Sequence, residues 1–268
     1  MKQIDLNHQQ RVSLKLFPDN QPHVNVIDVN EGDEVEVSCA LRSSLDMMHL
    51  LEVSNALDHL FAKKKVLVIP YLIAARFDRV MEDGDSCDLE VVAELINMCK
   101  FEKVVLYDVH SDVAKALIKN SVNISNKVLV DAYNKPDSIL ICPDAGAVKK
   151  VGKYLEWNKN IVDVVYCTKT RDLSNGKIDL KVLEPEKCTG KNCVIIDDLC
   201  DGGGTFVGIA SQIKPAFLTL IVTHGIFSKG FKTLSEHDIN HIITSDSYRF
   251  TNSNSFITTI PFTPCITK

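Results

Sequence analysis

The chain has 268 residues, 45% of them hydrophobic and 24% charged, with a formal net charge of -5 at pH 7. This size allows one large or two smaller globular domains. The acidic balance and the lack of a long basic run argue against a nucleic-acid partner. No apolar stretch is long enough to span a membrane, and the polar N-terminal sequence lacks the apolar core of a secretion signal. We therefore expect a cytoplasmic protein.

Nine cysteines are scattered among the apolar segments, and no two of them form a CxxC pair. A zinc site or a disulfide framework would need closer and more regular spacing. We expect these cysteines to be buried, reduced thiols.

Apolar runs alternate with helical patterns along most of the chain, which is typical of an α/β fold with a largely parallel sheet. The predicted strands are Val35–Leu41, Val66–Tyr71, Val104–Asp108, Ser138–Cys142, Ile161–Cys167, Val194–Asp197, Phe217–Val222 and Ile239–Thr244. The predicted helices are Asp46–Phe61, Asp88–Cys99, Asp112–Ile118, Ala147–Trp157, Thr205–Gln212 and Ser228–Leu234. The pattern favours two similar halves, an N-terminal domain of residues 1–125 and a C-terminal domain of residues 126–268. The boundary between them is expected near Asn120–Pro136, a segment rich in Asn, Ser and Lys.

One interval interrupts the alternation of strands and helices. Thr168–Pro185 is polar, and its Asn175-Gly176 pair favours a hairpin turn. We predict a projecting, mobile β-flap there.

The stretch VIIDDLCDGGGTFVGIA, Val194 to Ala210, runs from a buried strand through two aspartates and a triple glycine into a helix. Its glycines can take positive φ and let a ligand approach the backbone closely. Free N–H groups at a helix N-terminus favour an anion. The carboxylates suit the hydroxyls of a sugar or a magnesium ion. A tight turn with an aspartate cap is the simpler alternative, but the aspartate pair favours a ribose-phosphate site.

Other predicted strands also end in polar or glycine-bearing sequence. Ligands of parallel sheets gather outside the carboxyl ends of the strands. The sequences at these ends are AARFDR, YDVH, PDAGA, Lys169 with Arg171, DDLCDGGGT and THG. Together they favour a shared phosphate and metal site over six unrelated caps and turns.

With these motifs in order, the chain resembles the ribose-phosphate diphosphokinases, also called phosphoribosyl pyrophosphate synthetases. The matching segments are IPYLIAARFDR, VVLYDVH, CPDAGAVKK, the K-T-R of Lys169–Arg171, VIIDDLCDGGGT and VTHGIFS. They extend over roughly Phe17 to Asp246. The glycine motif alone is shared with many phosphoribosyltransferases, whereas the set with DVH, PDAG and THGIFS is far more specific.

The resemblance implies two tandem type I phosphoribosyltransferase-like domains, with the active site between them and completed by a neighbouring subunit. It implies a homo-oligomer, a dimer or higher. It also implies Mg²⁺-dependent transfer of the terminal diphosphoryl group of ATP to the anomeric hydroxyl of a ribose 5-phosphate. In such a transfer the protein mainly aligns the reactants and neutralises charge.

The resemblance assigns catalytic and metal-binding roles to four residues. His110 and Asp144 match the residues that position magnesium and ATP. Lys169 and Arg171 match the cationic pair on the catalytic flap, which could offset charge in the transition state and exclude water. The alternatives are a solvated surface histidine for His110 and a solvated hairpin for the two cations.

It also assigns ATP contacts to four residues of the N-terminal half. Arg76 matches a contact with the ATP phosphates or adenine, and Asp78 lies in the same loop. Phe17 and Asp19 resemble a segment that reaches into the neighbour's adenine pocket. A surface ion pair and an edge-strand turn are the respective alternatives.

The acceptor site is assigned to the strand end and loop that follow Val194. Asp197 and Asp198 match the contacts to the ribose hydroxyls. The loop for the 5-phosphate matches Asp201, Gly202, Gly203, Gly204 and Thr205, and Asp201 need not repel the phosphate if its side chain accepts from the turn backbone.

Three departures from the family pattern bear on function. The opening strand and helix of the family are expected to be largely absent, which puts the usual hexamer in doubt. The loop FDRVMEDGDSCD is acidic where the family is basic, so the usual phosphate activation is not expected. The loop Asp201–Thr205 lacks two side chains of the family's D-T-x-G-T pattern.

The bare loop leaves room for a larger acceptor, and ADP-ribose is a second candidate, with an NAD-rebuilding role. A non-catalytic, synthetase-associated subunit is a third hypothesis, disfavoured because His110, Asp144, Lys169 and Arg171 are all present. A phosphoribosyltransferase that consumes phosphoribosyl pyrophosphate comes last, because it would leave the DVH motif unexplained.

Overall fold

The computed structural model describes residues 1–171 and 178–262, without the side chains of 170, 171, 178 and 179. The described chain divides into two compact units, Met1–Ser125 and Asn126–Phe262. Each unit is a sheet with helices, and each has a hydrophobic core of its own.

The first unit contains a five-stranded, fully parallel sheet in the order β1-β4-β5-β6-β7. A separate antiparallel hairpin, β2–β3, is also present. The strands are β1 Lys2–Asp5, β2 Val12–Leu16, β3 Pro22–Val26, β4 Glu34–Ser38, β5 Lys64–Ile69, β6 Lys103–Tyr107 and β7 Ser121–Ile124. The helices are α1 Ser44–His59, α2 Asp88–Met98 and α3 Asp112–Leu117.

Apolar runs place the central strands of this unit in its interior. Five of the six residues of β5 and four of the five residues of β6 are buried, as expected for parallel strands covered on both faces. Lys65 is the one charged residue among the buried residues of β5. Its ammonium is hydrogen bonded to Asp58 and Ser54 of α1 and to the Cys99 carbonyl after α2. This buried cation joins the strand to both helices.

The second unit contains a seven-stranded sheet in the order β10-β9-β8-β11-β12-β13-β14, parallel except for the β9–β10 pair. Its strands are β8 Ser138–Cys142, β9 Ile161–Arg171, β10 Ile178–Val182, β11 Asn192–Cys200, β12 Phe217–Gly225, β13 His241–Ser245 and β14 Ile257–Ile260. Its helices are α4 Lys127–Asp131, α5 Val148–Trp157, α6 Gly204–Ala210 and α7 Lys232–Ser235, with a short 3₁₀ helix at Pro185–Cys188. The predicted α/β class with largely parallel sheets is confirmed.

Several predicted details are wrong. Strand β7 and helix α4 were not predicted, because a short edge strand and a five-residue helix need few apolar residues to form. Both lie in the segment Asn120–Pro136, where the domain boundary is expected. The sequence also gave no indication of β1, which pairs with β4. Helix α7 begins at Lys232 instead of Ser228, since Phe227 and Gly230 take positive φ in a preceding turn.

The described residues contain eight cysteines, all free and seven of them buried, which agrees with the expectation of reduced thiols. Among the described helices, none combines the length and apolar character needed to cross a bilayer. The last six residues of the predicted C-terminal domain and the Asn175-Gly176 pair lie outside the described residues.

Candidate functional site

The carboxyl end of β11 carries the aspartate pair and leads into the glycine loop. The predicted strand ends at Asp197, but the observed strand continues to Cys200, so both Asp197 and Asp198 lie on it. Of the three loop glycines, only Gly203 has a positive φ, +79°, and it is the residue before α6. The expectation of positive φ is therefore confirmed at Gly203, and Gly202 and Gly204 have backbones that other residues can adopt.

The predicted flap lysine lies against this loop. Lys169 Nζ is 3.1 Å from the Thr205 hydroxyl oxygen and 4.0 Å from Asp144 Oδ2. The Asp144 carboxylate also accepts the Ala147 N–H at 3.1 Å, at the start of α5. Three segments that are far apart in the sequence thus place a cation, a hydroxyl and a carboxylate together.

The hairpin that carries Lys169 is held against α6 by one amide side chain. Gln212 donates to the Leu180 carbonyl at 2.9 Å and accepts the Val182 N–H at 3.0 Å, both on β10. Leu180 is paired with Lys169 across the β9–β10 ladder. The strands of the predicted flap are confirmed, and Gln212 explains how its lysine reaches Thr205.

Asp197 is unusual electrostatically. Burial raises its pKa well above the ordinary range, and the nearby carboxylates of Asp198 and Asp144 add to the effect. Its Oδ1 accepts the Asp198 backbone N–H at 2.9 Å. Charge at Asp197 is therefore costly in the folded protein, and a ligand that donates hydrogen bonds would relieve that cost.

We expect Asp197→Asn to stabilise the protein at neutral pH. The amide keeps the acceptor for the Asp198 N–H and removes the charge. Because the folded-state pKa is raised, stability is fully present near and below pH 4 and falls as pH rises through that pKa. Thermal unfolding should show a higher Tm for the variant at pH 7.5, with the gap narrowing toward pH 4. The matched control is Asp163→Asn, because exposed Asp163 accepts the next residue's N–H at 2.8 Å. A difference in Tm between the variant and the wild type that does not change with pH would contradict this prediction.

The segment after β12 is tied to the glycine loop through backbone hydrogen bonds. Ile226 and Phe227 donate to the Cys200 carbonyl at 2.9 and 3.1 Å, and Ser228 donates to the Asp201 carbonyl at 3.2 Å. The next residue, Lys229, has Cδ and Cε 3.4 Å from the position that a Cβ on Gly202 would occupy. Lys229 is not among the residues predicted from the sequence, although the missing side chain at 202 left room for a neighbour.

The loop glycines should differ sharply when substituted. A Cβ on Gly203 would lie 2.7 Å from Leu234 Cδ2 in a strained backbone, whereas one on Gly202 meets only flexible Lys229 methylenes. We expect Gly203→Thr to lower the free energy of unfolding by about 1–3 kcal/mol and Gly202→Thr to change it little. Urea unfolding measures both, with Gly204→Ala as the control in open space. Equal losses at 202 and 203 would contradict this reading of the loop.

In the first unit, the loops after β5 and β6 meet at Asp78. Burial opposes the charge of this carboxylate, but hydrogen bonds from Arg79 and Ser111 and the nearby His110 outweigh it, so its pKa is lowered. The Arg79 guanidinium is 2.9 Å from the Asp78 carboxylate. Arg76 in the first of these loops and His110 in the second are both exposed. The structure thus joins Asp78 to the DVH motif, which the sequence could not show.

Phe17 and Asp19 lie in the turn of the β2–β3 hairpin. The Asn20 N–H donates to the Phe17 carbonyl at 2.8 Å, and the Gln21 N–H donates to Asp19 Oδ1 at 3.1 Å. The Phe17 side chain is 48% exposed. This turn presents an aromatic ring to the outside of its unit.

The predicted site residues therefore form two groups. Asp144, Lys169 and Thr205 are together in the second unit with the aspartate pair, and Asp78 and His110 are together in the first. The side chain of Arg171 is outside the described residues. No group of three metal-ligating side chains forms within residues 1–171 and 178–262.

Comparison with known proteins gives consistent results. No family model matches the chain. It is 26% identical over 237 residues to a ribose-phosphate pyrophosphokinase of Corynebacterium efficiens, covering 83% of this chain and 71% of that protein. It is 27% identical over 229 residues to one of Thermococcus kodakarensis, covering 82% and 79%. The phosphoribosylpyrophosphate synthetase structure from Mycobacterium smegmatis superposes with a TM-score of 0.81 at 20% identity, covering 93% and 85%.

The two largely parallel sheets flanked by helices place the chain in the α/β fold class of that phosphoribosylpyrophosphate synthetase structure. The shared sequence is more specific than this class. The chain is a diverged relative of the ribose-phosphate pyrophosphokinases, to which it is similar over most of its length.

Proposed function

We propose that the protein transfers the terminal diphosphoryl group of ATP to the anomeric hydroxyl of a ribose 5-phosphate unit. The observation that carries the proposal is the contact of Lys169 with Thr205 beside Asp144. This contact places a cation between the proposed acceptor loop and a carboxylate suited to magnesium. The family relationship supports the same reaction type.

In the reaction, the anomeric oxygen bonds to the β-phosphorus of ATP, and the bond from that phosphorus to the bridging oxygen next to the α-phosphorus breaks. AMP leaves with the bridging oxygen, and the hydroxyl proton is released. Lys169 is placed to offset negative charge on the transferring group, and Arg171, two residues along β9, is proposed as its partner. Neither side chain forms a covalent bond with the substrate, so their contribution is alignment and charge neutralisation.

Roles in binding Mg²⁺ are proposed for Asp144 in the second unit and for His110 in the first. Magnesium is usually bound by one or two carboxylates together with substrate phosphates and water. The half-buried Asp144 carboxylate fits that pattern, as does the absence of a three-ligand cluster from the described residues. When bound, the ion would neutralise charge on the phosphate oxygens of ATP.

The acceptor is proposed to bind along the end of β11. Carboxylates accept hydrogen bonds only, so Asp197 and Asp198 suit the O–H donors of a ribose. The raised pKa of Asp197 supports this assignment. Two adjacent carboxylates disfavour each other's charge, and strongly shifted pKa values of this kind cluster at functional sites. The 5-phosphate is proposed to lie on Asp201, Gly202, Gly203, Gly204 and Thr205.

The ATP contacts are proposed on the first unit. Arg76, Asp78 and His110 belong to loops that meet at Asp78. Phe17 and Asp19, in the exposed turn after β2, are proposed to contact ATP bound to a neighbouring subunit of a cytoplasmic homo-oligomer. These roles follow from the family resemblance.

ADP-ribose is a second candidate acceptor. Its terminal ribose has a free anomeric hydroxyl and a 5-phosphate that continues to AMP. The side-chain-free Gly202 favours it, since the family's hydroxyl-bearing side chain is missing there. A non-catalytic subunit is disfavoured by the Lys169–Thr205 contact, which such a protein has no need to keep.

The test is AMP release from ATP with Mg²⁺ and a panel of ribose phosphates and nucleotide sugars. We expect release that depends on an acceptor and stops when EDTA removes the metal. Release at the same rate without acceptor would indicate ATP hydrolysis instead. No release with any acceptor would favour the non-catalytic hypothesis.

A further inference from the structure

Strand β10 is the outer strand of the second sheet, so one side of its backbone has no neighbouring strand in the ladder. The Leu183 N–H donates to the Tyr166 carbonyl of β9 at 2.8 Å. Because the residues of an antiparallel pair alternate in direction, the backbone groups of Leu180 and Val182 point away from β9. The Gln212 side chain binds one outward group of each.

The amide of Gln212 uses all of its polar groups in these contacts. Its Nε2 donates to the Leu180 carbonyl at 2.9 Å and to the Gly208 carbonyl of α6 at 2.8 Å. Its Oε1 accepts the Val182 N–H at 3.0 Å. A side-chain amide has two donor hydrogens and one acceptor oxygen, so each of these groups has a partner. A carboxylate of the same shape would have no hydrogen for the two carbonyls.

The hairpin contacts α6 at three positions that lie about one turn apart. Lys169 Nζ is 3.1 Å from the Thr205 hydroxyl at the start of the helix. A Cβ on Gly208 would lie 3.8 Å from Leu180 Cδ2, so this leucine packs over the glycine in the middle of the helix. Gln212 binds the carbonyl of the same leucine just beyond the end of the helix. Since residues three and four apart share one face of a helix, the three contacts form a single line.

The segment that Gln212 holds lies directly opposite the proposed catalytic lysine. Leu180 is the ladder partner of Lys169. A lysine has a flexible four-carbon stem, so the place of its ammonium depends on where its backbone is held. A hairpin displaced from α6 would therefore carry the ammonium away from Thr205.

We infer that Gln212 is a positioning residue for diphosphoryl transfer, which holds the β9–β10 hairpin on α6 and thereby fixes the ammonium of Lys169. This inference rests on the proposed function and adds to it a residue that does not touch the substrates. Displacing a preorganised group by about 1 Å can lower a rate by about 10²-fold. Gln212 is exposed, so its loss should affect stability little.

The test compares the turnover of Gln212→Ala with that of the wild type, at saturating ATP, Mg²⁺ and the acceptor that supports AMP release. We expect turnover to fall about tenfold, because the leucine packing and the β9–β10 ladder still hold part of the geometry. The KM for ATP should change by less than about twofold. Gln212→Glu should lose at least as much, since its carboxylate faces two carbonyls.

Ser211→Ala is the matched control and should leave turnover unchanged. The Ser211 hydroxyl donates to the same Gly208 carbonyl at 3.0 Å, and this bond lies within α6 and its end. A loss of turnover in Ser211→Ala equal to that in Gln212→Ala would show that the end of the helix matters and the hairpin contact does not. Unchanged turnover in Gln212→Ala would overturn the inference as well.

The double variant of Gln212→Ala with Lys169→Ala separates positioning from a structural role. If Gln212 acts through Lys169, its removal should lower turnover by less than about twofold once the lysine is gone. The same tenfold loss in both backgrounds would overturn the inference. So would a lower unfolding midpoint in Gln212→Ala with normal turnover.

If the wild type releases no AMP with any acceptor, the proposed function fails, and the positioning of Lys169 is decided separately. Labelling of lysines with acetic anhydride, followed by mass spectrometry, measures how accessible the Lys169 ammonium is. We expect Lys169 to be labelled severalfold faster in Gln212→Ala and at the wild-type rate in Ser211→Ala. Equal labelling rates in Gln212→Ala and the wild type would show that Gln212 does not position the lysine.

Discussion

Lys169→Ala is expected to lower the turnover of diphosphoryl transfer about 10²–10³-fold, the usual effect of removing one preorganised group that stabilises transition-state charge. The Lys169 ammonium is 3.1 Å from the Thr205 hydroxyl and 4.0 Å from the Asp144 carboxylate. It thus lies between the proposed acceptor loop and the proposed magnesium ligand. ATP affinity should change little, because the proposed ATP contacts are on the first unit.

The measurement is steady-state turnover together with calorimetric binding of ATP. Lys181→Ala is the matched control, because Lys181 is exposed on β10 of the same hairpin and lies opposite Thr168. Thr205→Val tests the contact from the other side, since it keeps the shape and removes the hydroxyl that Lys169 binds. Near-normal turnover of Lys169→Ala, equal to that of the Lys181→Ala control, would show that the flap assignment is false.

The sequence predicted those parts of the fold that have a strong periodic pattern. Strand β8 was predicted at Ser138–Cys142, where the structure has it, because the run is apolar and buried at every position. Strand β7 was not predicted, because none of its four residues is fully buried: Ser121 and Ile124 are only partly buried and the two between them are exposed. Apolar patterns identify buried elements, and short edge elements depend on tertiary contacts that have no local pattern.

The residues of the candidate site were also predicted only in part. Residue types and their position after strands identified Asp144, Lys169 and Asp197, all of which lie at the carboxyl ends of β8, β9 and β11. The positive φ of Gly203 could not be assigned among three glycines, because the choice depends on Leu234 and the loop geometry. Lys229 was missed because its relation to Gly202 is a contact between two loops, which the sequence separates by 27 positions.

The acidic pair on β11 has opposing effects on folding and on function. Burial of Asp197 beside Asp198 disfavours its charge, so the folded protein is less stable at neutral pH than an amide-bearing variant would be. Crowded carboxylates retained at a strand end are expected where a ligand uses them. If the pair binds the acceptor as proposed, the loss of stability and the gain in binding are two consequences of the same arrangement.

Asp198→Asn is expected to lower kcat/KM for the acceptor about 10²-fold while the KM for ATP changes by less than about twofold. Asp198 is only 9% exposed, so its carboxylate is poorly solvated. A ribose hydroxyl that donates to this carboxylate forms a hydrogen bond to a charged group, which is stronger than one between neutral groups. The amide keeps the volume of the side chain and removes its charge. Its NH₂ group is a hydrogen-bond donor, so it cannot accept from a ribose hydroxyl as the second carboxylate oxygen does. Steady-state kinetics with each substrate varied in turn measures the split, and an unfolding midpoint no lower than that of the wild type excludes misfolding as the cause. A KM for ATP that rises as much as the acceptor's would place Asp198 on the donor side of the site and contradict the assignment of β11 to the ribose.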